Sequence, residues 1–190
     1  DLTVTGVQTC ALPISIFAAS SLLLYSTPSF AISLSIGVPI AASIPGDDGT
    51  AETDGTSGYF LGVQLPFGLG LGMDSHKTKF KDSTVKVATS MYNLYYQLPV
   101  PVVSLILGLG TGNSNYDCPD SGEGYGTCAE QYDKGAATQW YTSIGFPIIP
   151  FFDIHLSYRS ITSKNVKYKA SGNKEDVSGT ITGVGIAFNF

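Results

Sequence analysis

At 190 residues the chain has the length of a single domain. Charged residues make up 13%, about half the usual share, against 22 glycines, 11 tyrosines and 10 phenylalanines, a mixture that excludes the wholly charged surface of an ordinary cytosolic enzyme. A formal charge of −5 with no basic stripe excludes nucleic acid as a partner.

The stretch VTGVQTCALPI, Val4 to Ile14, resembles the conceptual translation of a sequencing adapter. Residues 1–14 are therefore expected to be an assembly artefact, and Cys10 to have no biological meaning. Residues 15–31 hold an apolar run from Ile16 to Tyr25, then Pro28 and Ser29-Phe30-Ala31. Small residues at the third and first positions before a cut suit a signal peptidase. A run of about ten apolar residues is too short to cross a bilayer as a helix. The segment reads as a truncated export signal, with the mature chain, 32–190, starting near Ile32.

From Ile32 onward the pattern has period two, the mark of a strand with two unlike faces. Ile32, Leu34, Ile36, Val38 and Ile40 form the first apolar face; Tyr59, Leu61, Val63 and Leu65 the second; Leu69, Leu71 and Met73 the third. The fourth is Tyr92, Leu94, Tyr96 and Leu98, where Val85, Val87 and Met91 compete for the same face. Val103, Leu105, Leu107 and Leu109 follow, then Trp140, Ile144 and Phe146, then Phe152, Ile154, Leu156 and Tyr158, and last Val184, Ile186, Phe188 and Phe190. Residues of opposite parity are small or polar, for example Gly70, Gly72, Asn93, Gln97, Gly108, Gln139, Ser143 and Asp153.

The charges after residue 31 fall into four islands: 47–54, 74–86, 117–134 and 159–176, with Asp153 alone outside them. Each internal charge-free stretch (55–73, 87–116, 135–152) is broken near its middle by proline: Pro66-Phe67-Gly68, Pro99-Val100-Pro101 and Pro147-Ile148-Ile149-Pro150. Proline cannot donate to a strand ladder and marks a turn, so each stretch is two strands joined by a short turn, and the strands total eight. Charged loops then lie at one end and short turns at the other. A soluble secreted β-sandwich has no reason for that asymmetry, whereas a transmembrane barrel has short turns on one side and long loops on the other. Tyr59, Trp140, Phe146, Phe151, Phe152, Tyr158 and Phe190 gather near strand ends, as interfacial girdles do. The expected fold is all-β, an eight-stranded antiparallel up-and-down transmembrane β-barrel.

The final GVGIAFNF resembles the C-terminal assembly signal of bacterial outer-membrane proteins, with Gly185, Phe188 and Phe190 in its places; Gly183 stands where that signal prefers a polar residue. With the eight-strand layout, residues 32–190 resemble the small outer-membrane barrels of the OmpA, OmpX and OmpW kind. The resemblance implies insertion by the barrel-assembly machinery, both termini in the periplasm, and outer-membrane lipid and lipopolysaccharide as surroundings. Eight strands leave a lumen just wide enough for side chains to fill, so no open diffusion pore is expected, and a monomer is. No cofactor or metal is called for.

Five sets of residues are candidates for a role. Asp153, His155, Ser157 and Arg159 share one face of the seventh strand and are expected to form a polar lumen network. Within that set, His155-Leu156-Ser157 is similar to the His-x-Ser of the outer-membrane lipid A deacylases, but Tyr158 stands where those enzymes are expected to have Asn, and Lys169 lies where an acid is needed. Asp74-Ser75-His76, placed in the second loop, has the composition of a triad, but adjacent residues of an extended chain point opposite ways. Cys118 and Cys128 are expected to form a local disulfide in an exported chain. Asn113, Asn115, Asp117, Asp120 and Glu123 make the third loop oxygen-rich, without the glycine and bidentate Glu of an EF-hand. Finally, the loops carry net charges of −4, +2, −4 and +3 in order, so neighbours should attract. Lys77, Lys79, Lys81, Lys164, Lys167 and Lys169 are candidate contacts for lipopolysaccharide phosphates. The runner-up function is an OmpW-like conduit for small apolar molecules, which needs an apolar lumen or a lateral opening.

Overall fold

The computed structural model describes residues 32–46, 49–51, 53–100, 102–118 and 127–190. The readings of 1–14 and 15–31 lie outside these, as do Asp120 and Glu123. The barrel strands are β1 (Ser33–Gly46), β2 (Thr53–Gln64), β3 (Leu69–Phe80), β4 (Lys86–Leu98), β5 (Ser104–Asp117), β6 (Gly135–Ile149), β7 (Phe152–Thr162) and β8 (Gly179–Asn189). Each pairs antiparallel with its chain neighbours, and β8 returns to β1 over Ser33–Asn189 to Ser43–Thr180. Closure leaves no barrel edge to recruit another strand.

Side-chain parity puts the greasy face outside. Leu34, Ile36, Leu71, Leu94, Leu107, Leu109, Trp140, Ile154 and Leu156 are all exposed, Leu109 at 70%. Asn93, Gln139, Ser143, Asp153 and Ser157, of the opposite parity, are buried. A soluble sandwich would bury the first set. Water would make so large an apolar surface untenable, and acyl chains make it favourable. In β4 pleat parity resolves the competition: Tyr92, Leu94 and Tyr96 face outward, while Val87 and Met91 turn inward at 3% and 0% exposure.

Two expectations need correction. The strands do not stop where the charges begin. β3 runs on through Asp74, Lys77 and Lys79, β5 ends on Asp117, and β7 includes Arg159. Asp74-Ser75-His76 is therefore strand and not loop, and Asp74 and His76 point together into the lumen, 1% and 3% exposed. The lumen is also not polar throughout. Phe60, Met91, Ala137, Ile161 and Ile181 form one interior apolar cluster, and Ile44, Val87, Val166 and Val177 another under the loops. Where strands outlast the hydrocarbon, their outer face carries residues such as Lys77 and Lys79 and meets water, so the interior there must supply the apolar core.

Beyond the barrel, Val166–Tyr168 pairs with Lys174–Glu175 and with Tyr132–Asp133, a small loop sheet. The helix Cys128–Gln131 leads into it, its first turn closed by Thr127 and Glu130 in a capping box.

Candidate functional site: the plugged lumen

β7 aims Asp153, His155, Ser157 and Arg159 inward, each less than one-tenth exposed. Arg159 does not pair with Asp153. Its Nε donates to Asp74 Oδ2 across the lumen at 3.0 Å, and its Nη1 donates to Ser157 Oγ. Gln139 Nε2 donates to the same Asp74 oxygen and to Asn93 Oδ1, both at 2.6 Å. The guanidinium lies over the Phe60 ring at 3.6 Å from its centroid, with the Tyr141 ring at 4.8 Å. Planar stacking plus donor pairing suits arginine, which sheds water more easily than lysine. One carboxylate, one guanidinium, two amides and two rings thus fill the middle of the barrel. The signal for Asp74 was present in the sequence as an inward parity, hidden by its place in a charge island.

Nearer the turns, Asp153 Oδ2 accepts from Ser104 Oγ at 3.0 Å, and Gln97 Nε2 donates to that serine at 3.2 Å. His155 Nδ1 is 3.4 Å from Ser143 Oγ, and its Nε2 is 3.9 Å from Asp153 Oδ2. A cavity of about 60 Å³ lies among His155, Ser143, Ser157 and Arg159, room for a couple of waters. Ser157 Oγ donates to the Gly183 carbonyl at 3.2 Å while receiving Arg159. Its hydroxyl is thus engaged by Gly183 and Arg159, and His155 faces Ser143. Both residues point into the lumen, away from acyl chains. Asp74 is held by Arg159, and His76 meets the Phe60 ring edge-on, centroids 6.2 Å apart, so these two do not form a relay either. Among the described residues no three His, Cys, Asp or Glu side chains converge as metal ligands.

Glycines make this filling fit. A Cβ on Gly70 would enter the Tyr95 ring, and one on Gly108 the Tyr141 ring.

At the loop end, oppositely charged neighbours meet. Lys79 Nζ pairs with Asp54 at 2.8 Å, Lys77 Nζ with Asp117 at 2.6 Å, and Lys169 Nζ with Asp133 at 3.8 Å. Loop one is thereby tied to two, two to three, and three to four. Lys77 and Lys79 stand on the outer face of β3, beyond Met73; Lys164 and Lys167 are exposed. The Lys81 charge acts on the Asp54 carboxylate. Cys118 and Cys128 form a disulfide, Cα atoms 5.4 Å apart, closing the third loop. At the other end, Phe190 N donates to Ile32 O at 2.9 Å, and the Phe188 and Phe152 rings lie 4.4 Å apart, so the C-terminal strand is stitched to β1 and β7. Gly185 lies against the Ile36 carbonyl.

No family model and no curated protein matches the chain. Solved structures do. The chain is similar to Neisserial surface protein A, NspA (TM-score 0.63, 14% identity, 85% of this chain and 97% of that one). It is similar to the N-terminal β-barrel domain of OprF from Pseudomonas aeruginosa (TM-score 0.51, 12% identity, 83% and 97%). It is similar as well to the outer membrane protein OprG of that organism (TM-score 0.50, 12% identity, 86% and 97%). With its outward apolar belt and closed ladder, the chain therefore has the fold of the small eight-stranded outer-membrane β-barrels.

Proposed function

We propose that this chain is an integral protein of the bacterial outer membrane with a structural or surface-interaction role and no open diffusion pore. The observation that carries the reading is the pairing of an apolar outer belt with a lumen stopped by Arg159, Asp74, Gln139 and Asn93. In this reading the short turns and both ends of residues 32–190 face the periplasm, and Gly185, Phe188 and Phe190 guide insertion by the barrel-assembly machinery. The barrel works as a monomer. Lys77, Lys79, Lys81, Lys164, Lys167 and Lys169 surround the outer rim where lipopolysaccharide phosphates lie; replacing them with glutamine should weaken lipopolysaccharide association. The lumen-facing His155 and Ser157 support a non-enzymatic role, since a lipid substrate meets the outer face. Fractionation followed by heat-modifiable gel migration tests the reading: a barrel runs faster unheated and stays with the outer membrane, and a soluble partition overturns it. Lipid A of unchanged mass on expression is expected.

A second reading, a conduit for small apolar molecules, has one observation in its favour. Among the described residues the β1–β2 ladder covers only Ser33–Gly37 against Phe60–Gln64, and nearer the loops Thr53 Oγ1 donates to Ala42 O instead. A disulfide between Ala42→Cys and Thr53→Cys should stop vesicle uptake of an apolar solute if this seam opens.

A further inference from the structure

The three short turns are built in an unusual way. Each holds one non-glycine residue in the left-handed region: Phe67 (φ 74°), Val102 (φ 77°) and Phe151 (φ 83°). That conformation favours Gly, Asn or Asp, and a β-branched or bulky residue there is an outlier. The loop end obeys the rule, since its one such residue among those described is Asp82 (φ 54°). At the turns the side chains are also exposed, at 68%, 84% and 69%, and Ile148 (62%) and Phe190 (72%) stand with them. The turns therefore accept backbone strain to place large apolar groups outside the barrel. In water neither choice helps.

The belt explains what such a rim meets. The outward apolar strip spans six residue steps from Trp140 to Phe146 on β6 and from Phe152 to Tyr158 on β7, and eight from Ile32 to Ile40 along β1. At the usual rise and tilt of barrel strands, six steps cover about 15 Å along the membrane normal and eight about 20 Å, against about 25 Å for a typical apolar band. Where the bilayer does not thin to match, hydrocarbon laps over one end. The loop end carries Lys77, Lys79, Asp54 and Asp117 on strands or their margins. The turn end carries no charge from 55 to 73, 87 to 116 or 135 to 152. Proline removes N–H donors at Pro66, Pro99, Pro101, Pro147 and Pro150, and Phe151 O already accepts from Asn189 N at 2.9 Å. Fewer N–H groups there need a partner, and the turn carbonyls stay at headgroup depth.

We infer that the short-turn rim, with Phe67, Val102 and Phe151 at its tips, is a lipid-inserting surface whose side chains reach into the facing leaflet rather than projecting into water. The inference rests on the membrane reading above and adds to it which end of the barrel lies submerged. Trp140 is the single tryptophan and sits on the outer belt, so it serves as the internal standard. The unmodified protein and two variants, Trp140→Phe/Phe67→Trp and Trp140→Phe/Phe151→Trp, are folded into phosphatidylcholine vesicles with or without dibrominated acyl chains. Heat-modifiable migration verifies folding. Both variants should show blue-shifted emission, lose intensity to brominated lipid about as strongly as Trp140, and resist aqueous acrylamide. Emission quenched by acrylamide and untouched by bromine places the rim in water and overturns the inference. Shielding from both quenchers means a protein surface or second copy covers the rim, which also overturns it. If Trp140 itself escapes brominated lipid, the membrane reading fails first, a result separable from failure at the rim alone.

Discussion

Removing the guanidinium of Arg159 would leave the Asp74 carboxylate, 1% exposed, facing two rings and an amide. Breaking one partner of such a buried pair costs about 3–5 kcal/mol, while replacing both often costs little. Arg159→Met should therefore lower the barrel's urea midpoint sharply, and the double variant Asp74→Asn/Arg159→Met should recover most of the loss. Equal losses in single and double variants would show that the pair contributes nothing as a pair. Gly108 gives a steric counterpart. A methyl there enters the Tyr141 ring, and overpacking of this kind costs about 1–3 kcal/mol. Gly108→Ala should destabilise by that amount and Gly108→Ala/Tyr141→Leu by less, measured by the same unfolding experiment.

At the scale of an element, the loop sheet depends on contacts beyond the belt. Tyr116 donates its hydroxyl to Glu175 Oε2 at 3.2 Å, and its ring lies against Tyr132, which lies against Tyr168. Burial pushes the Tyr116 phenol up, and the Glu175 carboxylate pushes it the same way. A group raised on folding stabilises fully below its unfolded value and loses that contribution as pH climbs beyond it. The sheet should therefore loosen above about pH 10. Protease resistance of the loops, followed from neutral to alkaline pH, should fall less steeply in Tyr116→Phe. The Cys118–Cys128 bridge closes a short loop beside this sheet. Cross-links of that length are worth about 2–3 kcal/mol through the unfolded chain, so Cys118→Ser/Cys128→Ser should speed cleavage of the 118–128 loop and leave the belt intact.

For the whole molecule, the lumen's contents matter more than its diameter. Polar groups fill its middle, and Ile44, Val87, Val166 and Val177 seal it beneath the loops. Planar bilayers containing the protein should show no stable conductance of porin size; a large ohmic step would contradict the plug. Alternating loop charge also acts at this scale. The Asp54–Lys79, Lys77–Asp117 and Asp133–Lys169 pairs are exposed and salt-screened. Each contributes little alone, and together they link the four loops in series.

What the sequence determined by itself was everything of short range. Alternation has period two, so Leu107 and Leu109 share a face whatever surrounds them, and proline with charge-free flanks marks a turn from its own covalent structure. Eight strands, two unlike ends and the outward greasy face all followed from such local rules. Partner choice across the lumen did not. Asp74 and Arg159 are 85 residues apart, and they meet only because the closed barrel's stagger brings β3 and β7 opposite one another at that height. Pairing with the neighbouring strand decides that a charged island such as Asp74 to Lys79 continues as strand, and pleat parity turns Val87 and Met91 inside once Tyr92 faces out. A chain can state which residues avoid lipid; only closure states which of them face each other.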